Sequence, residues 1–477
     1  MRSPYRFAAP SMLVLLTVAL VSCGGQVLPV QADSATVAAS PVTASPVAPA
    51  ADSPVVSSPA VGSQIVSGQI VTLSVRPGTT EADVKSRYPG GKLLALYPQE
   101  GYAQVWVQGA DQAAVRPGAG LGTLSLNAQA VAVTASEPDA NLSASTSPAS
   151  TSPATEDADA QGTSAWAGGT SAWAGGFSSV AGLLTTVSTF SENVAAWDMM
   201  DVSGGQKLAP ALGAGVRVAV LDTGVDIVHP GLAGHLDVAS GWDYVGGDAV
   251  PQEVNTSKSG YSRAYGHGTA VAGVILQIAP NATIVPFRVL NPDGAGKLSN
   301  IIMAVNDAVK AGAKVINMSL GTTSSSAALS TAVSSAIRSG AMVVTSSGNS
   351  GDDKVTYPAR YSADMQATLG GGLISVGSED LFQKKSSFST YGNLDLLAPG
   401  EAVKSTFPGN QFTKATGTSF AAPMVSGAVA LAMSSGRTDV IALYKSMKSS
   451  ATVPIDTLYS GKLGNGTLNL GKLMVSK

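Results

Sequence analysis

This 477-residue sequence has little of several residue types, and each scarcity excludes something. It contains one cysteine, so it cannot form an internal disulfide. Charged residues are 12% of the chain and the net charge is -3, which gives no indication of nucleic acid or an anionic membrane surface as a partner. Aromatic residues are 5%, so a core must consist mainly of Ala, Val, Leu and Ile. Glycine is plentiful, at 53 residues, and 44% of the chain is hydrophobic, which indicates a globular protein with low-complexity segments.

The N-terminus has the pattern of a targeting segment. Arg2 and Arg6 precede an apolar run over residues 12–21, which is too short for a resident membrane helix and has the length of a signal-peptide core. The run ends at Leu-Val-Ser-Cys-Gly, which resembles a bacterial lipobox, whose cysteine is acylated and becomes the first residue after cleavage. We therefore expect Cys23 to carry a lipid anchor on a protein exported from a bacterial cell, facing outward or the periplasm, or released after processing. The alternative is an ordinary cleaved signal that happens to contain a cysteine.

Shifts in composition divide the chain into five segments. A low-complexity linker contains Thr-Ser-Ala-Trp-Ala-Gly-Gly twice in succession, and two copies are too few for a repeat fold. The predicted segments are a signal peptide (1–22), an Ala/Ser/Pro-rich tether that begins at Cys23 (23–62), a small α/β domain (63–135), the linker (136–179) and a large domain (180–477).

The small domain shows a β-α-β-β-β pattern. The helix has Thr79 or Thr80 as its N-cap candidate, because a hydroxyl there can accept from the first-turn N–H groups. The predicted elements are strands over 69–75, 92–97, 102–107 and 124–133 and a helix over 79–88.

The large domain alternates short apolar strands with helices. Such alternation predicts an α/β fold, a parallel sheet with helices on both faces, in which sites gather at the carboxyl ends of the strands. Ser299 is the predicted N-cap of one helix and Gly340 the C-terminal stop of another. The predicted strands are 216–221, 283–290, 314–320, 341–345 and 373–376, and the predicted helices are 299–311 and 327–339.

Ser419 is the candidate nucleophile. It stands in Gly-Thr-Ser-Phe-Ala-Ala-Pro, at the start of a small-residue helix that the sequence predicts to be buried. A serine hydroxyl attacks well only when a base takes its proton and a preformed site receives the oxyanion. At a helix start, the Ser419 N–H points outward and the helix dipole favours negative charge. The alternative is a plain N-cap serine.

The base must be one of three histidines. His229 and His235 lie in a glycine-rich loop, where we expect them to be solvated. His267 is flanked by Gly266 and Gly268 and opens a small-residue helix, so a substrate and a serine can approach it closely. His267 is therefore the candidate base.

Two further side chains complete the set. Asp222 ends a strand, where it can accept the imidazole N–H and fix its tautomer; the alternative is a turn former. Asn349, between Gly348 and Ser350, can donate its amide to an oxyanion, or it can be a turn residue in left-handed geometry.

The order Asp222, His267, Ser419 and the segments around it resemble the subtilisin-like serine proteases over most of residues 190–477. The resemblance implies an exported serine endopeptidase that hydrolyses peptide bonds through an acyl-enzyme, with Asn349 and the Ser419 N–H as oxyanion donors. The segments that carry it are Asp-Thr-Gly-Val-Asp (222–226), His-Gly-Thr (267–269), Asn-Met-Ser-Leu-Gly (317–321), Tyr-Pro-Ala-Arg-Tyr (357–361), Leu-Ala-Pro-Gly (397–400) and Gly-Thr-Ser (417–419).

The same resemblance implies how substrate binds. One segment presents an edge to which a substrate backbone adds as a strand, and another forms a pocket for the side chain before the scissile bond. The implied residues are Ser319, Leu320 and Gly321 on the edge, Ser346, Ser347 and Gly348 on the facing pocket wall, and Thr356 at the pocket base.

By its position and pattern, the small domain resembles the propeptide chaperones of secreted subtilisin-like proteases. The resemblance implies that residues 63–135 act as an intramolecular chaperone or inhibitor and that cleavage occurs within 136–180; a plain structural domain is the alternative. We expect a monomer that acts on protein or peptide substrates.

The sequence departs from the family where calcium is concerned. Gly231 follows His229-Pro230 where the family commonly has a calcium-binding aspartate, and the link from Gln277 to Pro280 is too short for the usual calcium loop. We therefore predict no cofactor and no strong calcium site, although weak calcium binding elsewhere stays open. The competing hypotheses are a surface lipoprotein whose inactive protease fold serves binding or architecture, and an esterase with the same machinery.

Overall fold

A computed structural model describes residues 68–108, 131–138, 141–144 and 190–476, all of them within one compact unit, residues 64–477. The predicted signal peptide, Cys23, the tether and the tandem Trp-containing repeat lie outside the described residues. None of the helices in the described ranges combines the length and apolar character that a membrane span requires.

The small domain is a four-stranded antiparallel sheet with one helix. Thr80 caps the helix: its hydroxyl accepts from the Asp83 N–H, and the Asp83 side chain accepts from the Thr80 N–H, so each satisfies a donor that the helix start leaves unpaired. The sheet order is β2-β3-β1-β4. The elements are β1 (Gly68–Val75), α1 (Glu81–Arg87), β2 (Lys92–Tyr97), β3 (Tyr102–Gln108) and β4 (Val131–Pro138).

Alternate positions of β1 and β3 face α1 and form a core of Val71, Leu73, Val84 and Val105, all buried. The predicted strands 69–75, 92–97 and 102–107 and the helix correspond closely to these elements. Of the predicted final strand 124–133, only residues 131–133 are described, and β4 continues to Pro138.

The large domain is built on a seven-stranded sheet whose neighbouring strands all run parallel. Most of its strands are buried along their whole length, which is why their sequences are near-continuous apolar runs rather than alternating ones. The order is β14-β13-β12-β10-β6-β8-β7. Its strands are β6 (Arg217–Asp222), β7 (Trp242–Asp243), β8 (Thr283–Arg288), β10 (Val315–Met318), β12 (Met342–Ser346), β13 (Leu373–Glu379) and β14 (Leu396–Pro399).

Helices and short strands complete the large domain, and the predicted α/β class is confirmed. The helices are α2 (Val194–Met199), α3 (Val202–Leu208), α4 (His267–Ile278), α5 (Leu298–Lys310), α6 (Ala327–Arg338), α7 (Ser362–Leu369), α8 (Thr418–Ser434), α9 (Val440–Ser450) and α10 (Leu470–Val475). The remaining strands are β5 (Asn141–Ala144), β9 (Ala295–Lys297) and β11 (Leu320–Gly321), which form one small sheet, and the hairpin β15 (Val403–Phe407) and β16 (Gln411–Ala415).

Helices α4 and α8 lie against each other in the core. Every residue of α4 is buried, as is nearly every residue of α8. Gly427 makes the close approach possible, because a Cβ at that position would lie 2.6 Å from Cβ of Ile278. The two helices carry His267 and Ser419 in their first turns, so their packing sets the distance between these residues.

Two predicted details of this domain are wrong. Ser299 is not an N-cap: α5 begins one residue earlier, at Leu298, with Lys297 in the cap position, so Ser299 lies buried inside the first turn. The predicted strand over 314–320 is divided, because Ser319 leaves the sheet between β10 and β11.

The small domain contacts helices α5 and α6 through side-chain hydrogen bonds. Tyr97 OH donates to Asn306 Oδ1 at 2.9 Å, and Tyr102 OH donates to Ser335 Oγ at 2.5 Å. Gln104, which is fully buried, donates to the Ala328 carbonyl at 3.0 Å. A buried amide must be paired to avoid a desolvation cost, so these bonds fix how the sheet of the small domain sits on the two helices.

Candidate active site

Asp222 and His267 form a buried pair. Asp222 is the last residue of β6 and His267 the first of α4, and Oδ1 of the carboxylate lies 2.7 Å from Nδ1 of the ring. Their exposed fractions are 0% and 1%. The Thr223 N–H also donates to Oδ1, at 2.8 Å, so the carboxylate is held from two sides. The arrangement leaves Nε2 as the ring nitrogen available for proton exchange.

The glycines around His267 have steric reasons. A Cβ at Gly268 would lie 2.0 Å from the Gly224 carbonyl oxygen, so only glycine lets the start of α4 approach the turn after β6 so closely. The Gly268 N–H then donates to Thr223 Oγ1 at 2.9 Å, which ties the two segments together. The turn and the helix therefore bring Asp222 and His267 into contact.

Ser419 lies in the first turn of α8 and is 1% exposed. Its hydroxyl donates to the Ser319 carbonyl oxygen at 3.4 Å, and Ser319 Oγ donates back to the Ser419 carbonyl at 2.9 Å. The next residue, Phe420, has its ring 5.3 Å from the His267 ring between centroids. The hydroxyl is thus directed at the edge strand, and the residue after it packs beside the His267 ring.

Asn349 is oriented by Thr418. Its Oδ1 accepts from the Thr418 N–H at 2.9 Å and from the Thr418 hydroxyl at 2.8 Å. Nδ2 therefore lies on the other side of the amide, and a Cβ built on Gly417 would be 3.2 Å from it. The amide donor thus faces the turn that leads into Ser419.

Burial and charge give the three histidines different pKa values. Burial alone would lower the pKa of His267, but the charge of Asp222 and its hydrogen bond, with a smaller contribution from the charge of Glu253, raise it above 6.5. Burial lowers the pKa of His229 and of His235. The prediction that His229 is solvated is wrong: it is 1% exposed, and its two ring nitrogens contact the Gly231 N–H and the Gln411 carbonyl.

The predicted substrate edge is one side of a three-stranded sheet of order β11-β5-β9. β11 contains Leu320 and Gly321, and Ser319 precedes it with its hydroxyl held between the Asn317 amide and Ser419. The middle strand, β5, comes from the chain that follows the small domain, and it pairs antiparallel with both neighbours. The edge that the sequence predicts for a substrate is therefore occupied by the protein's own backbone.

The predicted pocket residues lie beside this edge. Ser346 ends β12, and Ser347 and Gly348 follow it, with Ser346 and Ser347 fully buried. Thr356 lies between the two walls: a Cβ on Gly321 would be 2.5 Å from Thr356 Oγ1, and one on Gly348 would be 3.0 Å from Thr356 Cγ2. Thr356 Oγ1 also donates to the Ser347 carbonyl at 3.1 Å. Its side chain fills the space between the walls.

Two residues of the site went unnoticed in the sequence. Thr418 orients Asn349, and the only signal for it was its place inside Gly-Thr-Ser. Glu253 lies near the start of α4 and has no sequence signal, since it stands in a polar loop after β7. Among the described residues there is no group of three or more His, Cys, Asp or Glu side chains that could hold a metal ion.

The geometry suits acyl transfer. A serine lies at a helix N-terminus whose next residue packs against an imidazole, a buried carboxylate orients that imidazole, and a held amide faces the same turn. These are the parts needed to activate a hydroxyl and to stabilise a tetrahedral oxyanion. The contacts that set them come from five separate stretches of the chain.

Comparison with known proteins points to the same chemistry. A model of the Subtilase family matches residues 213–449. Thermitase from Thermoactinomyces vulgaris is 37% identical over 253 residues, 51% of this chain and 79% of that protein. Subtilisin BL from Lederbergia lenta is 41% identical over 229 residues, 46% of this chain and 76% of that protein. The thermophilic serine proteinase of Bacillus sp. (strain AK1) is 37% identical over 256 residues, 51% of this chain and 56% of that protein.

The order in which the histidines titrate is a testable consequence. We expect His267 to be the last of the three to lose its proton as the pH rises, because its pKa is raised and the other two are lowered. Replacing Asp222 by Asn removes the charge that favours the imidazolium and should lower the pKa of His267 alone. Ring-nitrogen NMR of histidine-labelled protein measures all three, and His229 and His235 serve as internal controls. An unchanged His267 titration in Asp222→Asn contradicts the assignment.

Proposed function

The chain belongs to the subtilase family and is a serine endopeptidase, and on this basis we propose that Ser419 is its nucleophile and His267 its general base, oriented by Asp222. The observation that carries the proposal is the buried 2.7 Å contact between Asp222 and His267, at the start of a helix that packs against the helix bearing Ser419. Burial strengthens this electrostatic contact because water does not screen it.

The proposed reaction has two steps. Ser419 Oγ attacks the substrate carbonyl carbon while its proton passes to His267 Nε2; the C–N bond then breaks and the amine leaves with that proton. Water then attacks the acyl-enzyme, losing a proton to His267, and Ser419 regains a proton as the acid leaves. Asn349 Nδ2 and the Ser419 N–H stabilise the oxyanion in both steps, and the bonds from Thr418 to Asn349 support this role because they fix the amide.

We propose that the segment after the small domain inhibits the enzyme and is then cut. β5 pairs with the edge that a substrate strand needs, which supports inhibition by residues 63–135 and their C-terminal extension. The register sets Gly321 opposite Ser143 and Leu320 opposite Ala144. The next residue back from Leu320 along the edge is Ser319, whose carbonyl accepts from the Ser419 hydroxyl. Because Ser145 is the residue that follows Ala144 in the sequence, the bond that we propose for cleavage is Ser145–Thr146, within the predicted range 136–180.

We also propose that the enzyme prefers a small side chain before the scissile bond. Thr356 fills the space between Gly321 and Gly348, where that side chain would lie. A large side chain would clash with Thr356 or leave its hydroxyl without the bond to Ser347. The small serine at position 145 in the proposed cleavage site agrees with this preference.

We propose export and a lipid anchor on Cys23, because of the signal-like N-terminus and the lipobox-like sequence. The absence of a strong calcium site likewise stays a prediction.

Ser419→Ala tests the nucleophile. We expect this variant to fold, to leave casein uncut and to resist labelling by a fluorophosphonate, because alanine has no hydroxyl to attack. Mass spectrometry should find a new N-terminus at Thr146 in the wild type and an intact linker in Ser419→Ala. Hydrolysis or labelling that survives in the variant contradicts the nucleophile, and the same cut in both proteins contradicts self-processing.

Thr356→Gly tests the pocket. Removing the side chain opens the space between Gly321 and Gly348, so we expect kcat/KM for peptides with Phe before the scissile bond to rise about tenfold or more relative to peptides with Ala. The matched control is Thr323→Gly, an exposed position two residues beyond Gly321. Equal relative rates for the two peptides in wild type and Thr356→Gly would show that Thr356 does not limit the pocket.

Cys23→Ala tests the anchor. We expect the wild type to remain with bacterial membranes and to incorporate radiolabelled palmitate, and the variant to lose the label and appear in the soluble fraction. A matched control is Ser22→Ala, which alters the neighbouring position and keeps the thiol. Label retained in Cys23→Ala excludes this residue as the acylation site.

A further inference from the structure

A buried carboxylate beside the catalytic pair has no role in the mechanism above. Glu253 is 4% exposed. Its Oε2 accepts from the Thr269 N–H at 3.3 Å and from the Thr269 hydroxyl at 3.0 Å. Its Oε1 has no hydrogen-bond partner in the part of the chain that the structure describes. Burial of a carboxylate is costly even where it accepts hydrogen bonds, so its presence needs a reason.

The position of Glu253 is that of a remote cap for α4. The helix begins at His267, and its N-cap residue, Gly266, has no side chain to accept from the first turn. Thr269 is the third residue of the helix, and its N–H is one of the donors that a helix start leaves unpaired. Glu253 supplies the missing acceptor from another loop, and its negative charge lies where the helix dipole favours it.

Glu253 is also tied to the other half of the pair. Its N–H donates to the Val225 carbonyl at 2.9 Å, three residues after Asp222. Thr269 Oγ1 in turn accepts from the Asp226 N–H at 2.9 Å. Glu253 thus links the turn that follows Asp222, through its backbone N–H, to the helix turn that begins with His267, through its carboxylate.

Several titratable groups surround this carboxylate. Burial raises the pKa of Glu253 to about 7; the Thr223 hydroxyl and the Gly266 N–H oppose the rise, and the charge of Asp222 adds to it. The charge of Glu253 in turn raises the pKa of His267 and of Tyr265. The group therefore changes charge near neutral pH, next to the proposed base.

We propose that Glu253 is a positioning residue for catalysis: it holds the first turn of α4 against the turn after Asp222, and its negative charge stabilises the imidazolium that His267 becomes in each step. The inference rests on the proposed role of His267 as general base. Glu253 would act in two ways: its hydrogen bonds to Thr269 position the helix start, and its charge stabilises the imidazolium.

Glu253→Gln tests the charge, because the amide oxygen can still accept from Thr269 while the negative charge is lost. We expect kcat to fall about threefold to tenfold with KM unchanged, and the acid limb of the pH profile to move to lower pH, because the imidazolium is less stabilised. Glu379→Gln is the matched control: Glu379 is also fully buried with a pKa raised to about 7, but it lies at the end of β13 and has no part in the pKa of His267. It should leave the profile unchanged.

The rate of fluorophosphonate labelling against pH separates the possible failures. A wild type that is not labelled at Ser419 overturns the proposed function itself. A wild type that is labelled, with Glu253→Gln showing the same rate and the same acid limb, overturns the role of Glu253 alone, as does an equal shift in Glu379→Gln.

Glu253→Asp is the second test, and it is used if Glu253→Gln does not fold. It retains the charge but shortens the reach to Thr269, so we expect lower activity with the high pKa of His267 preserved by ring-nitrogen NMR. A His267 pKa that falls in Glu253→Asp as far as in Asp222→Asn would overturn the proposal, because the charge would then not matter.

Discussion

The surrounding structure has to hold the Asp222 carboxylate in contact with the His267 ring. A buried charge next to a buried imidazole is stable only if both groups are held in place and the carboxylate has further donors. Thr223 provides one donor, and Gly268 allows the helix to approach the turn closely enough for the 2.7 Å contact. The small residues along α4 and α8 follow from the same requirement, since they let the helix that bears the serine lie directly against the helix that bears the histidine.

The cleft is built from backbone as much as from side chains. Strands β9 and β11 are short and leave hydrogen-bonding groups for a third strand, and β5 supplies it from within the same chain. A sheet edge of this kind accepts any extended backbone, so the proposed substrate strand and the proposed inhibitory segment can use the same edge. In the proposed pocket beside this edge, the Thr356 side chain lies between Gly321 and Gly348.

Local patterns predicted much of this correctly. Apolar runs predicted the parallel strands because a strand that is buried on both faces carries apolar side chains on both. The glycines beside His267 predicted that other segments approach this residue closely, and the turn at Gly224 does so. Patterns failed where partners are distant in sequence: His229 looked like a loop residue but is buried against the Gln411 carbonyl, and Ser299 looked like a cap but lies within the helix turn. No sequence pattern identified Thr418 or Glu253, because their roles depend on hydrogen bonds to Asn349 and Thr269, which are distant in sequence.

Strand and helix periodicity and glycine-flanked polar residues are local properties, so they were enough to predict the fold class and the candidate chemical groups. Which of those groups meet depends on how distant segments pack. Asp222 and His267 are 45 positions apart, and Ser319 and Ser419 are 100 apart, and no local preference specifies such contacts. They arise because burying α4 and α8 against each other and ending parallel strands at one edge is the arrangement that removes the apolar surface from water while leaving the polar groups paired.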